Sequence, residues 1–233
     1  MLLRLQSALS RHGLASRRAA AGLIRAGRVR VNGVATLEPC HRVDPDADAI
    51  ELDGSPVASV PPCHVTVMLN KPAGYVCSAD RSQGRSVCGL VANAGTRLVP
   101  VGRLDKDTDG LLLLSNDGDL ILKLTHPRYG HAKTYRAVVR GNLDAAALES
   151  LRSPIEIEGK RTRPAEVEPA GPNELLFTLR EGRNRQIRRL CERAGLRVER
   201  LTRVAINALA LPENLAPGQW RELTQSELGA LAK

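Results

Sequence analysis

The chain has 233 residues and a formal net charge of +9 at neutral pH. No apolar run approaches the roughly 20 residues that span a bilayer, and arginines interrupt the N-terminal apolar pattern that a secretory signal would need. The composition therefore excludes a membrane protein and predicts a cytoplasmic protein with a polyanionic partner, because basic side chains neutralise phosphates. Five widely spaced cysteines without a C-x-x-C pair argue against both a disulfide scaffold and a zinc module.

The first segment of the chain is strongly basic: residues 1–43 contain eight arginines and one acid. Apolar residues at helical spacing predict a first helix that ends at Gly13, and Ser16 is expected to cap a second helix running to about Ala26. The stretch "RVRVNG" alternates basic and apolar residues, as a half-buried strand does. Its Asn32-Gly33 pair predicts a hairpin turn.

This segment resembles the S4 RNA-binding domain in its arginine-rich second helix and in the stretch "GRVRVNG". It departs from that family at Gln6, where Asp is frequent. The resemblance implies a small domain of two helices and a hairpin, over residues 1–60. It also implies a phosphate-binding face made of four arginines: Arg17, Arg18, Arg25 and Arg28.

An acidic, proline-containing stretch follows the basic segment. Residues 44–53 reverse the sign of the charge, and prolines 56, 61 and 62 disfavour a regular helix and suit an extended linker. We therefore place a domain boundary near residue 61, with a second domain over residues 61–233.

The second region alternates strands and helices without the regular spacing of a parallel sheet. Strands are predicted in "HVTVMLNKPAG", in "TRLVPVGRLD" up to Asp105, and in "GLLLLSNDG", "KTYRAVVRG" and "ELLFTLREG". Helices are predicted over 120–124, 144–150 and 184–194. Consecutive strands joined by short turns favour a mixed, largely antiparallel sheet, so the fold class is α+β.

Three alternating carboxylates, Asp105, Asp107 and Asp109, open the stretch "DKDTDGLLLLSND". A calcium loop that began at Asp105 would need a bidentate Glu at its twelfth position, where Asn116 stands, and a ligand at the ninth, where Leu113 stands. A phosphotransfer loop needs a parallel sheet, which the strand order does not indicate. One carboxylate at a strand end remains, with Asp107 and Asp109 as turn or surface residues.

The stretch "GRLDKDTDGLLLLSNDG" resembles the catalytic motif of pseudouridine synthases of the RsuA type. Three further stretches are similar to motifs of the same family, in the same order: "LNKPAGYVCS", "KTYRAVV" and "EGRNRQIRRLC", the last followed by "LTRVAIN". With the S4-like segment in front, the resemblance covers nearly the whole chain. It implies an enzyme that isomerises a uridine of ribosomal RNA to pseudouridine without a cofactor or a metal.

The resemblance also implies roles for single residues. Asp105 is the catalytic carboxylate, acting either as a nucleophile at C1′ or as a base toward the 2′ proton, and Arg183 is expected to pair with it. The other substrate contacts are Tyr135 stacked on the uracil, Arg103 filling the place of the flipped nucleotide, and Ile187 and Leu201 on the apolar side of the base. For Ile187 and Leu201, ordinary core packing is an equal alternative.

A second basic surface is expected between Arg180 and Arg203, where nine arginines face three acids. Its RNA contacts are predicted at Lys71, Arg185, Arg188 and Arg189. The partner is ribosomal RNA or an assembling ribosomal subunit, of either size, and the protein is expected to be a monomer. The alternative is a catalytically inactive S4-domain RNA-binding protein that assists ribosome assembly.

Overall fold

The structure is a computed structural model that describes residues 2–58, 63–78 and 84–231. The chain divides into two units, Met1–Val65 with Asn116–Gly118, and Thr66–Ser115 with Asp119–Lys233. The predicted boundary near residue 61 lies outside the described residues. Within the described ranges, every helix is too short or too polar to cross a membrane.

The first unit contains two helices and two small sheets. Helix α1 spans Leu5–Arg11 and α2 spans Arg17–Arg25, with the Ser16 side chain accepting a hydrogen bond from the backbone N–H of Ala19 at 3.1 Å, as predicted for the cap. The strands are β1 (Leu3–Arg4), β2 (Val29–Val31), β3 (Val34–Ala35), β4 (Arg42–Val43), β5 (Ile50–Leu52) and β6 (Ser55–Pro56). They form a sheet of order β3-β2-β5-β6 and a separate antiparallel pair of β1 with β4.

Two hairpin turns in this unit follow from short sequence signals. Asn32 and Gly33, between β2 and β3, have φ of 51° and 79°, the positive values that the Asn-Gly pair predicts. Asp53 and Gly54 join β5 to β6 with φ of 53° and 78°. The interpretation of residues 55 and 56 as linker was therefore wrong, because this Asp-Gly turn adds them to the sheet.

The second unit is built on one nine-stranded sheet. Its strands are β7 (Thr66–Lys71), β8 (Val99–Pro100), β9 (Asp109–Ser115), β10 (Lys133–Arg140), β13 (Glu166–Gly171), β14 (Glu174–Leu179), β15 (Arg197–Ile206), β16 (Leu209–Ala210) and β17 (Trp220–Glu222). The order is β13-β14-β10-β15-β9-β7-β17, with β16 paired to β15 and β8 to β9. The β9–β15 pair is parallel, and the other described pairs of this sheet are antiparallel. The predicted α+β class is confirmed.

Helices and a short hairpin complete this unit. They are α3 (Val87–Leu90), α4 (Gly118–Thr125), α5 (Ala145–Arg152), α6 (Gln186–Arg193) and α7 (Gln225–Leu231), with the strand pair β11 (Glu156–Ile157) and β12 (Lys160–Arg161) after α5. One apolar cluster packs α5 and α6 on β10, β13, β14 and β15, and another packs α4 and α7 near β7 and β9.

The strand predicted to end at Asp105 is much shorter than expected. Only Val99–Pro100 is strand, and Gly102 has φ of 76°, a left-handed conformation that turns the backbone away from the strand direction. Asp105 therefore lies in a loop, residues 101–108, between β8 and β9. By contrast, Leu111 to Leu114 of β9 are all fully buried, which confirms the predicted buried strand.

Candidate active site

A cavity of about 860 Å³ opens within the second unit, beside the loop that carries Asp105. Its walls come from the 101–108 loop, from the inward faces of β10 and β15, and from the segment that enters α6. It brings together every residue that the sequence predicted as catalytic or substrate-binding: Arg103, Asp105, Tyr135, Arg183, Ile187 and Leu201.

A buried lysine stabilises the 101–108 loop by hydrogen bonds to its backbone. The ammonium of Lys71 donates hydrogen bonds to the backbone oxygens of Thr108 at 2.7 Å, Asp105 at 3.1 Å, Pro72 at 3.2 Å and Lys106 at 3.4 Å. Burial lowers the pKa of Lys71, and the neighbouring Cys77 and the three aspartates oppose that shift. Lys71 thus fixes the backbone on either side of Asp105.

The expectation that Lys71 contacts RNA is wrong. Its side chain is fully buried at the end of β7, so phosphates cannot reach the ammonium. The side chain is buried because four backbone oxygens, three of them in the 101–108 loop, face this point and need a donor. A long cationic side chain can supply several hydrogen bonds at once.

Arg185 supplies the positive charge that faces the Asp105 carboxylate. Its Nη1 lies 3.9 Å from Oδ2 of Asp105, and its guanidinium also donates to both carboxylate oxygens of Asp107, at 3.0 and 3.1 Å. The hydrogen bonds that Arg185 donates to Asp107 raise the pKa of Arg185. Burial would raise the pKa of Asp107, but hydrogen bonds from Arg185 and the charges of Arg188 and Arg185 outweigh it, and that pKa is lowered.

Arg183 does not take the pairing role that was predicted for it. Its Nε lies 3.6 Å from Oε2 of Glu181, and its backbone N–H donates to Oε1 of Gln186. The cause is local geometry: Arg185 adopts a left-handed conformation, with φ of 50°, at the start of α6, and it is this residue that reaches the aspartates. Arg183 still lines the cavity.

Asp107 is an exposed turn residue, as predicted, whereas Asp109 lies in a strand, and both form ion pairs that the sequence did not predict. Asp107 binds Arg185, and it also lies 3.4 Å from Nη2 of Arg188. Asp109 begins β9 and lies 3.0 Å from Nε of Arg200 on β15. These ion pairs fasten the loop to α6 and to β15.

Tyr135 and Arg203 lie side by side on the cavity floor. They are cross-strand partners in the β10–β15 ladder, and both side chains line the cavity. Leu201, two residues before Arg203, points the same way and is 5% exposed, while Ile187 of α6 is 3% exposed. Both apolar residues also belong to the core beneath the floor, so core packing is shown for them and contact with the base stays a prediction.

Arg203 and Lys133 were not among the predicted site residues. Both line the cavity, and Arg203 is 2% exposed, with its Nε donating to the backbone oxygen of Leu111 at 2.7 Å. In the sequence, a basic residue at an inward position of an alternating strand could have indicated this role. For Arg203 that pattern is hard to recognise, because many other arginines surround it. Cys77 also lines the cavity, and burial raises the pKa of its thiol.

The arginines predicted to bind RNA differ in how exposed they are and in whether they contact other groups of the protein. Arg17, Arg18 and Arg25 are exposed on or beside α2, and Arg189 is exposed on α6. Arg28 is exposed but forms a two-pronged pair with Asp53, at 2.8 and 2.5 Å. Arg188 is only 15% exposed and donates to the backbone oxygen of Asp107 at 3.0 Å, so it serves the loop rather than the surface.

Comparison with known proteins gives matches along the whole chain. Residues 65–193 match the family model for RNA pseudouridylate synthase, and residues 3–48 match that for the S4 domain. An uncharacterised RNA pseudouridine synthase of Aquifex aeolicus is 41% identical, covering 100% of this chain and 95% of its own. The ribosomal large subunit pseudouridine synthase B of Bacillus subtilis is 39% identical, over 98% and 95% of the two chains.

A solved structure gives the same result for the fold. The crystal structure of a pseudouridylate synthase superposes with a TM-score of 0.71 and 30% sequence identity, covering 98% of this chain and 99% of that one.

Proposed function

Because the chain belongs to the RNA pseudouridylate synthase family, we propose that it isomerises one uridine of large-subunit ribosomal RNA and that Asp105 is its catalytic carboxylate. The observation that carries this proposal is the cavity in which Asp105, Tyr135 and Arg185 meet. The choice of the large subunit is supported by the name of the Bacillus subtilis relative. We also propose that it acts in the cytoplasm, which a ribosomal RNA substrate supports.

The proposed reaction starts when the target uridine leaves its stack and enters the cavity. Unstacking costs a few kcal/mol, which contacts in the pocket and a side chain in the vacated place offset. Arg103, exposed beside Asp105, is the proposed residue for the vacated place, and the ring of Tyr135 is the proposed stacking surface for the uracil.

Asp105 then acts on the ribose. Its side chain is 37% exposed and therefore open to a substrate, and Nη1 of Arg185 lies 3.9 Å from Oδ2 of its carboxylate. The carboxylate either attacks C1′ or removes the 2′ proton, and the C1′–N1 bond breaks. After the base turns, C5 bonds to C1′, and the proton from C5 is moved away with help from a neighbouring group, for which the Tyr135 hydroxyl is proposed.

RNA binding is proposed for the first unit. Arg17, Arg18 and Arg25 are exposed on one helix, where each neutralised phosphate would release counterions. Arg189 adds an exposed charge on α6. The protein is proposed to act as a monomer on RNA or on an assembling subunit.

The test maps pseudouridines in both ribosomal RNAs from a strain that lacks this gene, by carbodiimide-dependent primer extension. We expect one large-subunit site to disappear and to return when the wild-type gene is supplied. Asp105→Asn should not restore the site but should retain RNA affinity, whereas the control Asp46→Asn, at an exposed position of the first unit, should restore it. An unchanged map would contradict the proposed function, and turnover that is lost in EDTA would contradict the proposed metal-free reaction.

A further inference from the structure

The floor of the cavity contains a buried guanidinium that is only partly bonded. Arg203 is 2% exposed, and its Nε is used by the backbone oxygen of Leu111. Its Nη2 is buried without a hydrogen-bond partner among the described residues. Buried donors are nearly always paired in folded proteins, so an unpaired donor on a residue that lines a substrate cavity is suited to an acceptor on the substrate.

A second cation lies next to this guanidinium. Lys133 lines the same cavity, and its ammonium donates to the backbone oxygen of His131 at 3.3 Å. Burial lowers the pKa of Lys133, and the charge of Arg203 lowers it further, which shows that the two cations are close enough to repel each other. A bound negative charge would relieve both effects.

Tyr135 is a neighbour of both cations in the sheet. It follows Lys133 by two residues on β10 and is the cross-strand partner of Arg203 on β15. A uracil ring that stacks on Tyr135 would therefore have its edge near two positively charged groups. The opposite side of the cavity is formed by the loop with Asp105.

The reaction produces a negative charge on the base by either of its routes. When C1′–N1 breaks, the bonding electron pair stays on N1, and the base is released as a uracil anion whose charge is shared by O2 and O4. If Asp105 attacks, its oxygen bonds to C1′; if Asp105 acts as a base, it takes the 2′ proton and the sugar becomes a glycal. When C5 later bonds to C1′, that bond to Asp105 breaks or that proton returns to C2′, and the C5 proton moves to N1.

We propose that Arg203, supported by Lys133, binds a carbonyl oxygen of the detached uracil and stabilises its negative charge while the base turns. The proposal rests on the proposed function. It assigns a reason for the open donor in the free protein, since fixed charges that face a developing anion in a shielded site stabilise the transition state without reorganisation.

A purely structural role is the main alternative, because Nε of Arg203 also ties β15 to β9. Binding of the target phosphate is another, but it would act before the bond breaks and would change KM rather than kcat. Both alternatives are separable from the proposal by kinetics on substrates whose carbonyl oxygens are altered.

The experiment uses a short RNA that carries the mapped target uridine, and two copies in which that uridine is 2-thiouridine or 4-thiouridine. Single-turnover rates are measured for the wild type and for Arg203→Lys, which keeps the positive charge but lacks the planar guanidinium with its paired N–H donors. The control is Arg152→Lys, because Arg152 also donates to a strand carbonyl, that of Val167, but does not line the cavity. Thermal unfolding of each variant reports on the structural role.

We expect Arg203→Lys to lower kcat by about 100-fold with KM within about threefold, the size seen when one donor to a developing anion is removed. One thio substitution should slow the wild type about tenfold and slow Arg203→Lys less than twofold, because the contact is already lost. Arg152→Lys should show the wild-type pattern.

Two results would overturn the proposal: sulfur effects that are the same in the wild type and Arg203→Lys at both positions, or a loss confined to KM. If Arg203→Lys does not fold, Lys133→Gln serves in its place and should show a reduced sulfur effect at the same oxygen; an undiminished effect would also overturn it. Wild-type turnover of the unmodified RNA separates these results from failure of the proposed function, which would abolish that turnover too.

Discussion

The ammonium of Lys71 lies 3.1 Å from the backbone oxygen of Asp105, inside the protein, and the carboxylate of the same aspartate lies toward the cavity. The two halves of one residue thus meet two different cations, Lys71 at the backbone and Arg185 at the side chain. The contact that holds the loop is therefore separate from the contact that faces the carboxylate.

Replacing Lys71 by Met is expected to impair turnover without weakening RNA binding. The methionine can fill the space but donates no hydrogen bonds, so the loop carbonyls lose their partner and the protein loses about 2 kcal/mol of stability. Urea unfolding and RNA-binding titrations check the two parts. A variant that folds normally but binds RNA tenfold more weakly would contradict the structural role of Lys71.

Arg185 and Arg183 form a matched pair of variants. We expect Arg185→Gln to reduce kcat by about tenfold or more, because it removes the guanidinium that lies 3.9 Å from the Asp105 carboxylate and pairs with Asp107. Arg183→Gln should have the smaller effect on kcat, since its guanidinium pairs with Glu181. Single-turnover rates measured from pH 4 to 8 provide the comparison, and a greater loss in Arg183→Gln would restore the pairing predicted from sequence.

Gly110 is expected to be intolerant of any side chain. It has φ of 100° in β9, and an added Cβ would lie 2.3 Å from the backbone oxygen of Arg203 and 2.8 Å from its nitrogen. Gly110→Ala should cost about 3 kcal/mol or more, because the β9–β15 ladder must separate.

Gly229→Ala is the control for this change, because Gly229 lies in α7 with nothing within 4 Å of an added Cβ. It should leave stability unchanged or raise it by up to about 1 kcal/mol, as alanine favours a helix. Urea unfolding of both variants measures the difference. Equal stabilities would show that β9 and β15 do not approach as closely as described.

The contribution of Glu227 to the free energy of unfolding is expected to depend on pH. Hydrogen bonds from Arg221 are the largest cause that lowers its pKa from 4.5 to about 2. A carboxyl whose pKa is lower in the folded state stabilises the fold above its unfolded pKa and loses that contribution as the pH falls. The stability difference between wild type and Glu227→Gln should therefore be constant above pH 5 and shrink between about pH 4.5 and 2, as thermal unfolding can show; a constant difference would argue against the pair.

Cysteine reactivity should follow burial. Burial raises the pKa of Cys191 to about 12, so this thiol stays protonated at pH 8, whereas Cys40 and Cys63 are exposed. Native protein should react rapidly at Cys40 and Cys63 with a thiol-specific reagent, and Cys191 should react only on unfolding. Peptide mapping after a short exposure identifies the modified residues, and early modification of Cys191 would contradict its place in the core.

The sequence allowed the local elements to be predicted where a short pattern determines the backbone. Ser16 before α2, the Asn32-Gly33 turn and the leucines of β9 are examples, since caps, turn residues and continuous apolar runs act over a few residues. The position of Asp105 in the site could be predicted from its motif, but its setting in a loop could not, because it depends on Gly102 and on hydrogen bonds from a distant strand.

What could not be predicted was mostly set by contacts across the sheet. β13 and β15 carry alternating charged residues that resemble an exposed helix or loop, and only their pairing with β14, β10 and β9 makes them strands. The same holds for the arginines from 183 to 203, whose partners lie up to 92 residues away in the chain. Arginines of one basic stretch therefore lie in three different settings: on the surface, against the 101–108 loop and in the cavity floor.

The parallel pairing of β9 with β15 also has a consequence for how the protein is made. Asp105 leaves the ribosome roughly a hundred residues before Arg203, and contacts between distant segments must wait for the later segment to be synthesised. A nascent or truncated chain that ends before β15 has no cavity floor beneath its aspartate. The cavity is thus completed only after β15 has been synthesised.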